Sequence, residues 1–182
     1  MNESKKFSGP HQGQPVLRAG ASLEKAKAAM ILVHGRGASA EDILTLAPEF
    51  VQPEFAYFAP QAAGNAWYPF SFLAPIPQNE PGISSGLQAI ADIFFELEAA
   101  GFPPQRVMLL GFSQGGCLAL EYAARHARRY GGVVGLSAGL IGPDGTPRDY
   151  AGSLAGTPVF LGCGDPDPHI PKARFLESVE TL

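Results

Sequence analysis

Short apolar runs that end on a turn residue, alternating with stretches of helical period, leave this chain few folds to choose from. "AAMILVHG" (28–35) is almost continuously apolar and stops at Gly35, as a strand buried on both faces does. "FAYFAP" (55–60), "RVMLLGF" (106–112), "GVVGLSA" (132–138) and "TPVFLGC" (157–163) read the same way. Between them the apolar spacing lengthens to that of a helix. "SAEDILTLAPEF" (39–50) opens with Ser39 and Asp42 in capping-box spacing. "SSGLQAIADIFFELEAAG" (84–101) carries Leu87, Ile90, Ile93, Phe94 and Leu97 on one stripe and closes at Gly101. "QGGCLALEYAARHARR" (114–129) and a final "KARFLESVETL" complete the set. This alternation predicts an α/β fold, a mostly parallel sheet with helices on both faces. The 182 residues suit one domain, and no repeat or boundary divides them.

Charge excludes one class of partner. A formal net charge of -4 leaves no basic stripe to neutralise phosphates, so no nucleic acid is expected. The dense basic run "RHARR" (125–129) falls where a helix should end and complements its dipole. No span reaches the ~18 uninterrupted apolar residues of a membrane helix, and the polar N-terminus has no apolar signal region. Cys117 and Cys163 sit in apolar segments, which reads as free thiols in a reducing compartment, the cytoplasm. His11, His34, His126 and His169 show no metal-type spacing, so no metal is expected.

The chemistry centres on two G-x-S-x-G matches, at 111–115 and 135–139. The motif works where a strand turns sharply into a helix and forces the serine into a strained, exposed position. Ser113 has a strand before it and a long helix after it. Ser137 is followed by "GLIGPDGTP", which cannot start a helix. Ser113 is therefore the nucleophile and Ser137 a strand-end residue. The first N–H groups of the helix after Ser113 point where an oxyanion would form, and Gln114 is the first donor. A second donor is expected from the glycine-bearing loop of "LVHGRGAS" (32–39), with the Arg36 N–H placed to give it. His34 lies on the strand itself and reads as packing under that loop.

"QAAGNAWYPFSFLAPIPQNEPG" (61–82) breaks the rhythm. It is too long and proline-rich for a simple connection, and long loops inside compact domains are usually functional. Trp67 and Tyr68 on it are expected to line a substrate pocket.

"HGRGAS", "GFSQGG" and "GDPDPHIP", in that order, resemble the phospholipase/carboxylesterase branch of the α/β-hydrolases, the group that includes acyl-protein thioesterases. The resemblance runs from about residue 28 onward. It implies hydrolysis of small-molecule carboxylic esters or thioesters through an acyl-serine, without a cofactor. It also implies a catalytic acid in the Gly164–Asp167 turn, where Asp167 matches the family position and Asp165 is the alternative. Turn aspartates also bond their own backbone.

The family order is Ser, then Asp, then His on a loop beyond one more strand. Here fifteen residues follow Asp167, and after His169 none is histidine. His126 is thirteen residues along a helix from Ser113, about 20 Å away. His169 is two residues past the acid, a poor place from which to aim in line at Ser113. The expectation is a domain lacking the last strand, the catalytic histidine and the closing helix, with impaired turnover. Losing that cover should leave the 157–163 strand as an unguarded apolar edge, inviting self-association. Two rival readings remain. One is a non-catalytic binding protein on a hydrolase scaffold. The other is a dinucleotide-binding module, since 35–40 fits G-x-G-x-x-A, although the second strand ends in "APQ" without the acid that would hold a ribose.

Overall fold

A computed structural model describes residues 8–182. Six strands form one sheet: β1 (Val16–Gly20), β2 (Ala28–Val33), β3 (Phe55–Pro60), β4 (Val107–Phe112), β5 (Gly132–Leu136) and β6 (Val159–Gly162). Their spatial order is β1-β3-β2-β4-β5-β6. Only the β1–β3 pair is antiparallel; the others run parallel, with Ile31 opposite Leu109 and Leu110 opposite Val134. The helices are α1 (Ala40–Leu44), α2 (Gly82–Ala99), α3 (Gln114–Arg125) and α4 (Lys172–Thr181).

The period-2 pattern divides the core between the two faces of the sheet. Ala29, Ile31, Val33, Val107, Leu109 and Val133 point to the side covered by α2 and α3. Met30, Leu32, Tyr57, Ala59 and Leu110 point to the side covered by α1 and the 3-10 turn Ala47–Phe50. Helices on both faces and a mostly parallel sheet make this the expected α/β-hydrolase architecture.

Three local outcomes differ from the sequence reading. β1, "VLRAG", has no apolar run to betray it. It is a half-exposed edge strand, and Arg18 at its centre lies over the Phe58 ring and pairs with Glu96 on α2. The helix expected over 39–50 is split. Its capping box forms, with the Ser39 hydroxyl accepting from the Asp42 N–H at 3.1 Å and the Asp42 carboxylate accepting from the Ser39 N–H at 2.7 Å. Pro48, which has no N–H to donate, then falls in a separate 3-10 turn. Finally, α3 stops at Arg125, four residues short of the expected end, because the chain turns at His126 to enter β5.

β6 is the other edge of the sheet. On the α1 side no described helix reaches it, and Phe160 stands 59% exposed there.

Candidate active site

The turn between β4 and α3 is tight enough to decide which residue types it admits. A side chain at Gly111 would strike the backbone of Gly115, and one at Gly115 would strike the carbonyls of Val33 and His34. Ser113 between them sits at φ 52°, ψ -120°, outside the regions an ordinary L-residue occupies. Its N–H donates to the Leu136 carbonyl at 2.8 Å, and its own carbonyl accepts from the Cys117 N–H at 2.9 Å. Both ends of the serine backbone are thus pinned, one to the sheet and one to the helix. The side chain faces a cavity of about 420 Å³, lined also by Arg36, Tyr68, Phe70, Gln114 and His169.

Two backbone donors border that cavity. Gln114 is the first residue of α3, so its N–H has no partner within the helix. In the loop after β2, the Gly37 and Ala38 N–H groups are spent on the carbonyls of Asn65 and Gly35. Among the described residues the Arg36 N–H has no such acceptor.

The side chains of these same two residues grip the aromatic loop. The Arg36 guanidinium donates to the carbonyls of Pro69 (2.9 Å), Tyr68 (2.9 Å) and Phe70 (2.6 Å). Gln114 Oε1 accepts from the Trp67 N–H, and its Nε2 donates to the Tyr68 carbonyl, both at 2.8 Å. No local pattern marks these clamps, because each joins a side chain to a backbone carbonyl or amide 32 to 47 residues away.

Trp67, expected beside Tyr68 in the pocket wall, is not there. It is wholly buried, and its indole N–H donates to the His34 carbonyl at 2.9 Å. The ring lies against His11 and His34, with centroids 5.1 and 5.0 Å away. An indole with a polar edge buries well only where that N–H finds an acceptor, and here the acceptor lies beneath the loop. Tyr68 does line the cavity, but its hydroxyl is buried beside the Cys117 thiol without a well-formed hydrogen bond. Burial pushes that thiol up to about 12, so Cys117 stays protonated. Both cysteines are free.

The histidines divide sharply. His34 Nδ1–H donates to the Gly35 carbonyl (2.8 Å) and its Nε2 accepts from the Ala62 N–H (3.1 Å). His11 Nε2–H donates to the Trp67 carbonyl (2.8 Å) and its Nδ1 accepts from the Ala63 N–H (3.0 Å). Each ring is therefore held neutral with both nitrogens occupied, and burial keeps both below the ordinary histidine range. His126 stacks on Tyr122 and bonds to its carbonyl. Only His169 reaches the Ser113 cavity. Among the described residues, no hydrogen bond joins an imidazole to Ser113.

Asp167 lies in the turn after β6. Its Oδ1 accepts from the N–H groups of His169 (2.8 Å) and Ile170 (3.0 Å), and its Oδ2 from the Cys163 thiol (3.4 Å). The His169 N–H is the main cause that holds this carboxyl below the usual range, with the Ser137 hydroxyl contributing. Asp165 instead makes an exposed ion pair with Lys172 at 2.7 Å. Ser137 follows β5 directly, at φ 48° beside the 52° of Ser113, yet no helix comes after it. The two motif matches thus share a backbone twist and differ in what comes after.

Comparison with known proteins agrees with this geometry. The family model described as phospholipase/carboxylesterase matches residues 17–182. Acyl-protein thioesterase 1 of Saccharomyces cerevisiae is 29% identical over 174 residues, 85% of this chain and 77% of that protein. A phospholipase/carboxylesterase crystal structure from Dyadobacter fermentans superposes with a TM-score of 0.89 at 43% identity, covering 93% of this chain and 81% of that one. The fold also matches acyl-protein thioesterase 2 of Zea mays, with a TM-score of 0.66 at 16% identity over 92% of this chain and 83% of that one. The chain belongs to the phospholipase/carboxylesterase family of α/β-hydrolases.

Proposed function

We propose that this protein is a serine hydrolase of small-molecule carboxylic esters or thioesters. The observation that carries this reading is Ser113, strained at the β4–α3 turn and facing a cavity bordered by two unspent N–H donors. Its hydroxyl oxygen attacks the scissile carbonyl carbon. The oxygen that becomes negative is received by the N–H groups of Arg36 and Gln114. Donors fixed in advance need no reorganisation as the charge develops, and each is worth about 10²–10³ in rate. The Ser113 proton passes through water to the leaving oxygen or sulfur, so collapse breaks the C–O or C–S bond, expels the alcohol or thiol and leaves an acyl-serine. Water then cleaves it to the carboxylic acid and restores the Ser113 hydroxyl. Asp167 is the acid of the site. Two free thiols support a reducing compartment, the cytoplasm.

Turnover by these described residues is slow, because Ser113 has no imidazole in hydrogen-bond contact to take its proton. A hydrolase keeping only donors and binding retains about 10³–10⁴-fold acceleration over water. A second reading is a non-catalytic binder on this scaffold, whose Ser113 cavity holds a ligand without cleaving it. Fluorophosphonate labelling and 4-nitrophenyl ester hydrolysis separate the two. The hydrolase is labelled on Ser113, shows weak hydrolysis, loses both in Ser113→Ala and keeps both in Ser137→Ala. Labelling that survives Ser113→Ala removes the nucleophile assignment; no labelling and no hydrolysis leaves the binder.

A further inference from the structure

Arg36 is an exposed cation in an unusual setting. It lines the Ser113 cavity, whose lining holds no Asp or Glu. Among the described residues it makes no ion pair; its partners are three neutral carbonyls. Those bonds use three of the five N–H donors of a guanidinium, leaving the Nε–H and one Nη1–H unspent. The carbonyls therefore fix the group in place without neutralising it. A flexible surface arginine would lose side-chain entropy on gripping a ligand, whereas this one is already held. On a chain of net charge -4, a fixed positive charge in the wall of the cavity is a local reversal of sign.

We propose that Arg36 is a specificity-determining residue, and that its guanidinium selects esters or thioesters carrying an anionic oxyacid group, carboxylate or phosphate, elsewhere on the substrate. The reading rests on the Ser113 hydrolase assignment for its chemistry, but the anion preference is a binding property and is measured apart from turnover. Arg36 then acts three times at one site. Its N–H receives the developing oxyanion, its side chain holds the Tyr68–Phe70 wall, and its remaining donors and charge receive the substrate's anion.

The test uses the full chain carrying Ser113→Ala, which cannot form an acyl-serine, and isothermal titration with two probes. These are mono-4-nitrobenzyl succinate, whose poor leaving group keeps its own carboxylate from displacing it, and its uncharged methyl ester. The anionic probe is expected to bind about tenfold tighter at low salt, the scale of one charge-assisted hydrogen bond at a partly exposed site. The preference should shrink at high salt and vanish when Arg36→Gln is added, while Arg36→Lys keeps part of it through charge alone. Equal affinity for the two probes, or a preference unchanged by Arg36→Gln, overturns the proposal. If Arg36→Gln does not fold, the salt dependence and Arg36→Lys still decide. Monomethyl succinate and methyl phosphate as competitors tell the head group: displacement by either one supports the anion site and names its preference, and displacement by neither overturns it. Hydrolysis by the unsubstituted chain is followed separately. Anion preference without turnover would sink the hydrolase reading alone, and turnover without anion preference would sink this one alone.

Discussion

Gln114 holds Tyr68: its Nε2 donates to the Tyr68 carbonyl at 2.8 Å, while the same amide accepts from the neighbouring Trp67 N–H. One side chain thereby ties the pocket wall to the first turn of the helix whose N–H is the proposed oxyanion donor. Gln114→Ala leaves the buried Trp67 N–H without a partner, which costs about 1–3 kcal/mol, and leaves the Tyr68 carbonyl with the Arg36 guanidinium alone. Thermal unfolding should therefore fall in midpoint, and ester KM should rise as the wall loosens. Gln114→Glu keeps the acceptor for Trp67 and loses the donor for Tyr68, so its fall should be the smaller if the Trp67 bond dominates. An unchanged midpoint in Gln114→Ala would show that the loop is held without it.

His169 shares the cavity with Ser113, but Asp167 grips its backbone N–H rather than its ring. An imidazole not oriented by its acid is not a positioned base. His169→Ala should change 4-nitrophenyl ester hydrolysis only slightly. A loss approaching the about 10²–10⁴-fold that a well-placed base supplies would instead identify His169 as that base.

Stability should depend on pH chiefly through two buried histidines. Burial is the leading cause that lowers His11 and His34 below their ordinary value of 6.5, while the exposed ring of His126 is screened by solvent and contributes little. In the window below that value the unfolded chain binds more protons than the folded one, so stability rises with pH there. The contribution is complete above about 6.5, the unfolded value, and is lost as pH falls toward the depressed folded values. Asp167 is also lowered, but its contribution is lost only below the ordinary carboxylate range. Melting midpoints should fall between pH 7.5 and 5.5, and be insensitive to these groups above pH 7.5. A midpoint that rises on acidification through that range would contradict the buried neutral rings.

The edge at β6 should mediate self-association of the described chain. Phe160 is 59% exposed on an open strand edge that carries no charge within Val159–Gly162. Pairing of two copies along this edge would cover it. Sedimentation should show oligomers that Phe160→Lys reduces; a monomer at high concentration would refute the pairing.

The parallel centre of the sheet was legible because β2 and β4 are buried on both faces and so read as unbroken apolar runs. β1 was not, since half-exposed positions around Arg18 erase that signal. Ser113 was legible because strand, glycines and helix all lie within a few residues of it. Local sequence could also mark residues 61–82 as a functional loop, but not which way its rings turn. Trp67 went inward and Tyr68 toward the cavity because His34 and Gln114 decide their placement from other elements. Of the two readings open to a turn aspartate, the contacts of Asp167 are those of a carboxylate bonded to its own turn.

The anchoring of Trp67 bears on when the site comes into being. Its hydrogen bonds reach residues 33, 47 and 56 positions away along the chain: His34, Gln114 and His11. None of them can form until β2, the start of α3 and the segment before β1 have met, and closing such loops carries an entropic cost before any bond repays it. The sharp turn at Ser113 can take shape once two neighbouring strands and one helix are in place. The wall opposite it is a late product of folding, so a refolding protein would hold the strained Ser113 turn before it holds the wall of the cavity that turn faces.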